Sequence, residues 1–270
     1  MDSSSSSIIT VSGLTKRFKK FAAVDNISFS VDRAEIFAFL GPNGAGKSTT
    51  IKILITLLAP TSGDATINGL DIINDSAEVR HTIGYVPQSI SVDGTLTAYE
   101  NMMLFARLYD IPASERKVRI QETLAFLNLA DHAKDLVRTF SGGMVRKMEI
   151  GQAMLHRPKV LFLDEPTTGL DPVARQSVWQ HLSELRKTMG TTIFFSTHYM
   201  EEADGVSDRI AIMNQGKIAA MGTVTELKEK TKKKDATLED AFIFFTGNAL
   251  HETGNFRDIR RTRATEKRLG

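Results

Sequence analysis

One stretch decides the fold: Gly41-Pro42-Asn43-Gly44-Ala45-Gly46-Lys47-Ser48 matches the pattern G-x-x-x-x-G-K-[ST] at every specified position. We call residues 41–48 the phosphate loop. The apolar run at residues 35–40 predicts a buried strand before it, and residues 47–58 predict a helix that ends near Pro60. Glycines let successive N–H groups face one point, and a helix N-terminus adds partial positive charge there. The stretch therefore predicts a site for phosphate groups.

Lys47 and Ser48 give this loop its chemistry. We expect the Lys47 ammonium to reach the outer phosphates of a nucleotide and the Ser48 hydroxyl to bind Mg²⁺. The alternative is a glycine-rich turn with a chance Lys-Ser pair. Because a strand precedes the loop and a helix follows it, we interpret the chain as a nucleotide-binding protein.

The composition limits the class of protein. The chain has 270 residues, a formal net charge of +2 and no cysteine. Its length suits one large or two small domains. The small net charge predicts no nucleic-acid partner, and the lack of cysteine excludes disulfides and cysteine metal sites. No apolar run approaches the roughly 18 residues that span a bilayer, so we expect a soluble, intracellular protein.

The first strands are predicted at residues 8–31, where apolar and polar residues alternate around the turn residues Gly13 and Asp25-Asn26. Residues 1–7, which are rich in serine, are predicted to be a disordered tail. Phe18 lies among basic residues, and this position leaves two interpretations open. It is either a core residue of a strand or an aromatic ring that stacks on a base.

The middle of the chain has a helical pattern. Thr97 and Glu100 form a potential capping box, and further helices are predicted from Ser114 and over residues 144–155. Residues from about 90 to 156 are thus predicted to be a helical insert. Strands are predicted around it at residues 61–72 (as a hairpin), 84–88, 160–163, 191–196 and 210–213. Alternating strands and helices around a phosphate loop predict a mainly parallel sheet covered by helices.

Two carboxylates, Asp164 and Glu165, follow the apolar strand at residues 160–163. Ligands bind at the carboxyl ends of strands in open α/β sheets, so Asp164 is placed to hold Mg²⁺, directly or through water. If the strand continued, Glu165 would point to the opposite face. Glu165 is the candidate that orients or deprotonates an attacking water. An acidic pair at a strand end is often only a solvated turn, but with the phosphate loop it completes a site for nucleotide hydrolysis.

Ser141-Gly142-Gly143 precedes the helix predicted over residues 144–155, with Ser141 at an N-cap position. A hydroxyl, exposed N–H groups and the helix dipole together make a second anion site. One nucleotide does not need two such sites on one chain. We therefore expect Ser141-Gly142-Gly143 to serve the nucleotide of another subunit.

Together these motifs resemble the nucleotide-binding domain of ATP-binding-cassette (ABC) transporters. Residues 41–48 look like the Walker A motif, residues 140–144 like the signature and residues 160–165 like Walker B. The resemblance covers residues 8–230, which leaves residues 231–270 as a C-terminal extension. It implies an α/β fold of the P-loop NTPase class, with a mainly parallel core sheet, an antiparallel β subdomain and the inserted α-helical subdomain.

The resemblance also implies roles for single residues. Gln88 looks like the Q-loop glutamine, which touches Mg²⁺ or the attacking water. His198 looks like the switch histidine, which contacts the γ-phosphate and positions Glu165. Asp171 looks like the D-loop aspartate, which contacts the partner's phosphate loop, and Phe18 stands where the family stacks a ring on adenine. Taken singly, Gln88 is a surface residue, His198 a structural one and Asp171 a helix cap; taken jointly, their spacing favours the functional roles.

The implied cofactors are ATP and Mg²⁺. The implied catalytic residues are Glu165, His198, Lys47 and Gln88, and the implied metal ligands are Ser48, Gln88 and Asp164. Nucleotide contacts are expected from Phe18, Gly41, Pro42, Asn43, Gly44, Ala45, Gly46, Lys47, Ser48 and Thr49 and, across a dimer, from Ser141, Gly142, Gly143 and Asp171.

Two details indicate one branch of the family. Met144 replaces the usual glutamine of the signature, and the stretch at residues 196–203 surrounds His198. Both resemble the daunorubicin-resistance type of exporter ATPase, whose membrane subunits are separate chains. The resemblance implies an ATPase that dimerises head to tail with a second copy or a homologue. It would energise a separate permease from the cytoplasmic face of the membrane. The alternative is a non-transport ABC ATPase acting on a ribosome or another macromolecular complex.

The C-terminal extension holds one more predicted helix. It begins at Thr237 and places Leu238, Ala241, Phe242 and Phe245 on one face, which covers either the chain's own sheet or a partner. The basic tail beyond it is expected at the cytosolic face of a permease or at anionic lipid.

Overall fold

The computed structural model describes residues 7–247, which form two β-sheets. The first contains β1 (Ser7–Phe18), β2 (Phe21–Asp32), β4 (Ser62–Ile67) and β5 (Leu70–Asp71), in the antiparallel order β2-β1-β4-β5. The second contains β3 (Ile36–Leu40), β6 (Ile83–Val86), β7 (Val160–Asp164), β8 (Thr192–Thr197), β9 (Arg209–Asn214) and β10 (Lys217–Thr223), in the order β10-β9-β3-β8-β7-β6.

Helices cover both faces of the second sheet. The α-helices of residues 7–247 are α1 (Lys47–Leu54), α2 (Ser76–Thr82), α3 (Ala98–Leu108), α4 (Ala113–Phe126), α5 (Gly142–Met154), α6 (Pro172–Met189), α7 (Met200–Val206), α8 (Val224–Lys230) and α9 (Leu238–Thr246). Across residues 7–247, none of these helices combines the length and apolar character that a bilayer crossing requires.

Five neighbouring strands of the second sheet run parallel, and β10 joins its edge antiparallel to β9. This arrangement confirms the mainly parallel sheet that the sequence predicts. Parallel strands end at the same edge of a sheet, which is where open α/β sheets bind ligands. The loops after β3, β6, β7 and β8 contain the phosphate loop, Gln88, Glu165 and His198 respectively. The topology alone therefore brings these residues to one edge.

The core lies on both sides of this sheet. Phe37 and Phe39 belong to one cluster of buried side chains, while Ala38 and Leu40, which alternate with them along β3, belong to another. Strands buried on both faces are apolar at every position rather than at every second one, which explains the continuous apolar runs. A separate cluster lies among α3, α4 and α5.

The turns predicted at Gly13 and Asp25-Asn26 are wrong, because these residues lie inside the long strands β1 and β2. Gly13 and Asn26 have φ angles of 59° and 53°, and the pairing register of β1 with β2 shifts next to Gly13. Such residues form bulges, which bend a strand without ending it. The turn lies at residues 19–20 instead, and Ser7, expected in the tail, begins β1.

The helix after the phosphate loop also differs from its prediction. α1 ends at Leu54 rather than at Leu58. Thr56 has a φ angle of 65°, and the N–H groups of Leu57 and Leu58 both donate to the Lys52 carbonyl. The chain thus leaves the helix through a left-handed residue, as helices commonly do.

The start of α3 agrees with the prediction. Thr97 accepts a hydrogen bond from the Glu100 N–H, and the Glu100 carboxylate accepts one from the Thr97 N–H. This reciprocal pair is the capping box that the sequence predicts. α4 begins at Ala113, one residue before the predicted start at Ser114.

The helix predicted after Thr237 is α9, which packs against α7, α8, β9 and β10. Leu238, Ala241 and Phe242 are buried in the same cluster as one face of the second sheet, while Ile243 and Phe244 remain exposed. The apolar face of α9 therefore covers the chain's own fold. The predicted tail at residues 1–6 and the basic tail after residue 247 lie outside the described residues.

His156 makes the stability of this fold sensitive to acid. Its ring stacks on Tyr109, with centroids 3.7 Å apart, and its Nε2 donates to the Ile83 carbonyl at 2.9 Å. Its Nδ1 is buried with no hydrogen-bond partner among residues 7–247. Burial lowers the pKa of His156 to about 4, whereas an unfolded histidine has a pKa of about 6.5.

We expect the folded protein to lose stability as the pH falls from about 6.5 to about 4, because the unfolded state takes up the proton first. The expected loss is up to about 3 kcal/mol. Urea unfolding of the wild type and His156→Gln at a series of pH values measures it. The variant is less stable at neutral pH but should lack this part of the acid dependence. Equal pH dependence in the two proteins would contradict the assignment.

Candidate active site

Two glycines let the phosphate loop pass close to its neighbours. A Cβ at Gly41 would lie 2.4 Å from the Met213 carbonyl oxygen, and one at Gly46 would lie 2.4 Å from the Ala23 carbonyl oxygen. Gly46 also has a φ angle of 105° at the N-cap of α1, a conformation that favours glycine. Any other residue at either position would move the loop. The remaining loop residues differ in exposure: Ala45 is buried, Pro42 is half-buried, and Asn43 and Gly44 are exposed. Thr49, which directly follows the loop, is half-buried.

Lys47 is buried at the first turn of α1. Its Nζ donates to the carbonyl oxygens of Gly41 at 2.7 Å and Pro42 at 3.1 Å, and it lies 3.6 Å from Glu165 Oε1. Burial lowers the pKa of Lys47, while the Glu165 and Asp164 carboxylates oppose that shift. The ammonium is therefore held at the mouth of the phosphate loop by opposite charges and by carbonyl groups.

Asp164 and Ser48 meet at the end of β7. The Ser48 Oγ donates to Asp164 Oδ1 at 3.0 Å, and the Ser196 Oγ donates to the same oxygen at 2.5 Å. Ser196 is opposite Asp164 in the register of β7 with β8 and is fully buried. One hydroxyl from α1 and one from β8 thus hold the carboxylate that the sequence predicts as a metal ligand.

Glu165 does not continue the strand. β7 ends at Asp164, and Glu165 has a φ angle of 50°, so the alternation expected for a continuing strand does not apply. Its N–H donates to Ser196 Oγ at 3.1 Å. The left-handed conformation turns the Glu165 side chain toward the phosphate loop, where it joins Lys47. A non-glycine residue held in this region stores backbone strain, which occurs preferentially at functional sites.

Three side chains from different loops converge on the Glu165 carboxylate. Gln88 Nε2 donates to Oε2 at 3.1 Å, and Thr168 Oγ1 donates to the same oxygen at 3.2 Å. His198 Nδ1 lies 3.1 Å from Oε1. This pair does not form a hydrogen bond, and Nδ1 has no other hydrogen-bond partner within residues 7–247. Gln88, His198 and Lys47 are thus brought together around one carboxylate that is only 5 % exposed.

His198 packs against Tyr199, which has a cationic neighbour of its own. Its ring lies 4.1 Å from the Tyr199 ring, and the Arg175 guanidinium lies 5.3 Å from the centroid of Tyr199. Cation–π attraction of this kind favours a fixed ring position. α7 begins directly after this segment, at Met200.

The Ser141 segment lies at the start of α5. Ser141 is the N-cap and accepts a hydrogen bond from the Met144 N–H. α5 packs on α3, α6 and β6, and Ser141 and Gly142 are exposed. A Cβ at Gly143 would lie 2.8 Å from the Ala174 Cβ. This glycine therefore also permits the close approach of α5 to α6, a packing role that the sequence does not reveal.

Asp171 caps α6, and its carboxylate accepts from the N–H groups of Val173 and Ala174. Within a single chain, Asp171 therefore acts as a helix cap.

Phe18 is 48 % exposed at the end of β1, with the Lys16 ammonium 5.3 Å from its ring centroid. Exposure excludes the core interpretation of Phe18 and leaves its ring free to stack.

Sequence patterns miss several residues that support the site. Glu202 is buried, accepts from Trp179 Nε1 at 2.9 Å and is bonded by the Thr167 hydroxyl, so it ties the loop after β7 to α7. Ser196 orients both Asp164 and Glu165. A serine inside an apolar strand is the signal that could have pointed to it, but only once β7 and β8 are known to pair.

The fold and the site define a P-loop nucleotide-binding protein with the constituents of a hydrolysis centre. The family model for ABC transporters matches residues 24–168. The linearmycin resistance ATP-binding protein of Bacillus subtilis is 42% identical over 220 residues, which are 82% of this chain and 70% of that protein. The doxorubicin resistance ATP-binding protein of Mycobacterium tuberculosis is 42% identical over 253 residues, 90% of this chain and 76% of that one.

A solved structure agrees with these relatives. CbiO1 from Clostridium perfringens, part of the ABC transporter complex cbiONQ, has a TM-score of 0.77 and 27% identity, covering 84% of this chain and 94% of that one. The chain belongs to the ABC transporter family, as an ATP-binding subunit with ATPase activity. Subunits of this kind work with separate transmembrane components. The predicted family, fold class and ATPase activity are confirmed, and the non-transport alternative is set aside.

Proposed function

We propose that this chain clamps Mg²⁺-ATP between two copies and hydrolyses it to energise a separate membrane exporter. The observation that carries the proposal is the presence of two phosphate-binding features on separate elements. Lys47, Gln88, Glu165 and His198 converge at the edge of the sheet, while Ser141 begins a different helix with its own exposed N-terminus. The names of the drug-resistance relatives support export as the direction of transport.

The residues present suit a magnesium ion. A Mg²⁺ octahedron with bonds of about 2.1 Å has edges of about 3 Å, and the Ser48 hydroxyl and Asp164 carboxylate oxygens are 3.0 Å apart. Residues 7–247 contain no cluster of three or more acidic or histidine side chains that would hold a metal alone. Ser48, Asp164 and Gln88 would therefore hold the ion together with phosphate oxygens and water. When bound, the ion neutralises charge on the β- and γ-phosphates.

Each of the other side chains would have its own role in binding or hydrolysing ATP. Lys47 would bind the outer phosphates, and Phe18 would stack on the adenine. Glu165 would accept the proton of the attacking water, since its carboxylate lies beside the phosphate loop, 3.6 Å from the Lys47 ammonium. Gln88 would position that water, and His198 would contact the γ-phosphate after a small rotation from its position beside Glu165.

The second anion site calls for a second subunit. In a head-to-tail dimer, Ser141, Gly142 and Gly143 of one copy would close over the phosphates bound by the other. Asp171, at the start of α6, would contact the partner's phosphate loop. Hydrolysis would then remove the phosphate that bridges the two copies and let them separate.

The permease would dock beside α3 and the loop after Gln88, where Ile90, Leu104 and Leu108 are exposed. A permease segment with a complementary apolar face would cover these residues. This arrangement would place the chain peripherally, at the cytoplasmic face of the membrane. The predicted contacts of the basic tail lie outside the described residues.

Cysteine cross-linking tests the dimer, because the natural chain has no cysteine. Asn43 and Ser141 are exposed, so chains carrying Asn43→Cys and Ser141→Cys are mixed and mildly oxidised. We expect a disulfide-linked dimer on non-reducing gels with Mg²⁺-ATP and little without it. Each variant alone, and Asn43→Cys mixed with Glu115→Cys on α4, serve as controls. A product that forms equally without ATP, or equally with the control partner, would contradict the head-to-tail arrangement.

A further inference from the structure

The loop that follows β6, residues 87–91, is held by two side chains of α5. Arg146 Nη1 donates to the Pro87 carbonyl at 2.8 Å, and its Nη2 donates to the Gln88 carbonyl at 3.3 Å. Glu149 Oε1 accepts from the Ser91 N–H at 2.6 Å and from the Ser91 hydroxyl at 3.0 Å. We call residues 87–91 the glutamine loop. Both of its ends are thus tied to α5.

Arg146 and Glu149 also pair with each other. Their side chains lie one helical turn apart, with Arg146 Nη1 3.0 Å from Glu149 Oε2, and they are only 7% and 1% exposed. Burying two charges costs more desolvation than the pair usually recovers, so such pairs are weak evidence for stability. Because Arg146 and Glu149 bond to both ends of the glutamine loop, this loop and α5 are constrained to move together.

The two ends of this connection belong to different ATP sites of the proposed dimer. α5 begins after Ser141, which would face the nucleotide of the partner. The glutamine loop contains Gln88, whose side chain donates to Glu165 of the same chain at 3.1 Å. A shift of α5 on closing over the partner's ATP would therefore be passed through Arg146 and Glu149 to Gln88.

We propose that Arg146 and Glu149 are positioning residues that couple the two ATP sites: contact of Ser141 with the partner's ATP aligns Gln88, and hence Glu165, in its own chain. The proposal rests on the shared sites proposed above. Neither residue touches a reacting group. If the two residues act by aligning Gln88, substituting either of them should lower kcat, and the size of that effect should depend on whether Ser141 is present. A role in stability alone would lower the melting temperature without that dependence.

A double-mutant cycle on kcat tests the coupling. The four proteins are the wild type, Ser141→Ala, Glu149→Gln and the double variant, all as the full chain with saturating Mg²⁺-ATP. Glu149→Gln keeps an acceptor for Ser91 but removes the charge facing Arg146. If the signal passes through Glu149, the fold-reduction in kcat caused by Ser141→Ala should be at least about threefold smaller in the Glu149→Gln background. Substitutions within one network of contacts are non-additive in this way.

Glu115→Gln is the matched control, because Glu115 forms an exposed ion pair with Arg119 on α4, 2.6 Å apart. Its cycle with Ser141→Ala should be additive within about twofold. If Glu149→Gln fails to fold, Arg146→Lys, which keeps the charge but cannot bond both carbonyls as the guanidinium does, replaces it in the cycle.

Additive effects in the Glu149 cycle would overturn the coupling. This failure is distinguishable from failure of the proposed function. If the sites are not shared, Ser141→Ala alone leaves kcat unchanged and the Asn43–Ser141 cross-link does not depend on ATP. If only the coupling is wrong, Ser141→Ala lowers kcat and the cross-link forms, but the two substitutions act independently.

Discussion

Glu165→Gln should lower the rate of ATP hydrolysis by about 10²–10⁴-fold, the usual contribution of a general base. The substitution keeps the shape of the side chain and acceptor capacity for Gln88. It removes the group that takes the proton of the attacking water. Lys47 keeps its bonds to the carbonyl oxygens of Gly41 and Pro42, so ATP binding should persist.

Glu165→Gln should also accumulate as an ATP-bound dimer. Because the bridging phosphate is no longer removed, Glu165→Gln should form a dimer that persists with Mg²⁺-ATP and dissociates with ADP. Sedimentation measures the dimer, and a phosphate-release assay measures the rate. Glu201→Gln, which changes an exposed acid on α7, should leave both unchanged. Normal hydrolysis by Glu165→Gln would show that another group is the base.

The second large effect is expected at Ser141. Ser141→Arg should abolish hydrolysis, because a long cation would replace a small hydroxyl at the N-terminus of α5. The guanidinium would prevent close contact with the partner's phosphates, and the helix N-terminus already carries partial positive charge. Ser141→Ala removes the hydroxyl and the N-cap, worth about 1 kcal/mol of stability, without adding a cation, so the further loss in Ser141→Arg measures the effect of the guanidinium.

The fold of Ser141→Arg can be checked independently. Ser141 is exposed, so the larger side chain points to solvent in a single chain and should lower the melting temperature only slightly. ATP should still bind, because Lys47 and Ser48 lie on a different helix. Loss of ATP binding to the Ser141→Arg monomer would place this residue in its own chain's site.

Local patterns predicted much of this site. The phosphate loop, the Thr97 capping box and the cap at Ser141 depend on residues within a few positions of one another, and such motifs are readable from a single sequence. The strand at residues 160–163 was predicted from its apolar run, and β7 extends it by Asp164. The family resemblance grouped Gln88 and His198 with Glu165 in advance, and the parallel strands explain why their loops meet at one edge.

What remained hidden depends on pairing between distant segments. Ser196 orients Asp164 only because β7 and β8 pair in one particular register. Arg146 and Glu149 look like exposed charges on a helix until the glutamine loop is seen to lie against them. Gly13 looks like a turn residue in isolation, but β1 continues through it because its partner strands absorb a bulge.

The most direct test of the shared site is the ATPase activity of mixed inactive chains. Ser141→Arg and Lys47→Ala are each expected to be inactive, because each damages both sites of its own dimer. In a mixed dimer, one site receives both defects and the other receives neither. An equal mixture should recover about a quarter of the wild-type rate, since half of randomly paired dimers are mixed and each holds one intact site of two. No recovery at any mixing ratio would contradict an active site built from two chains.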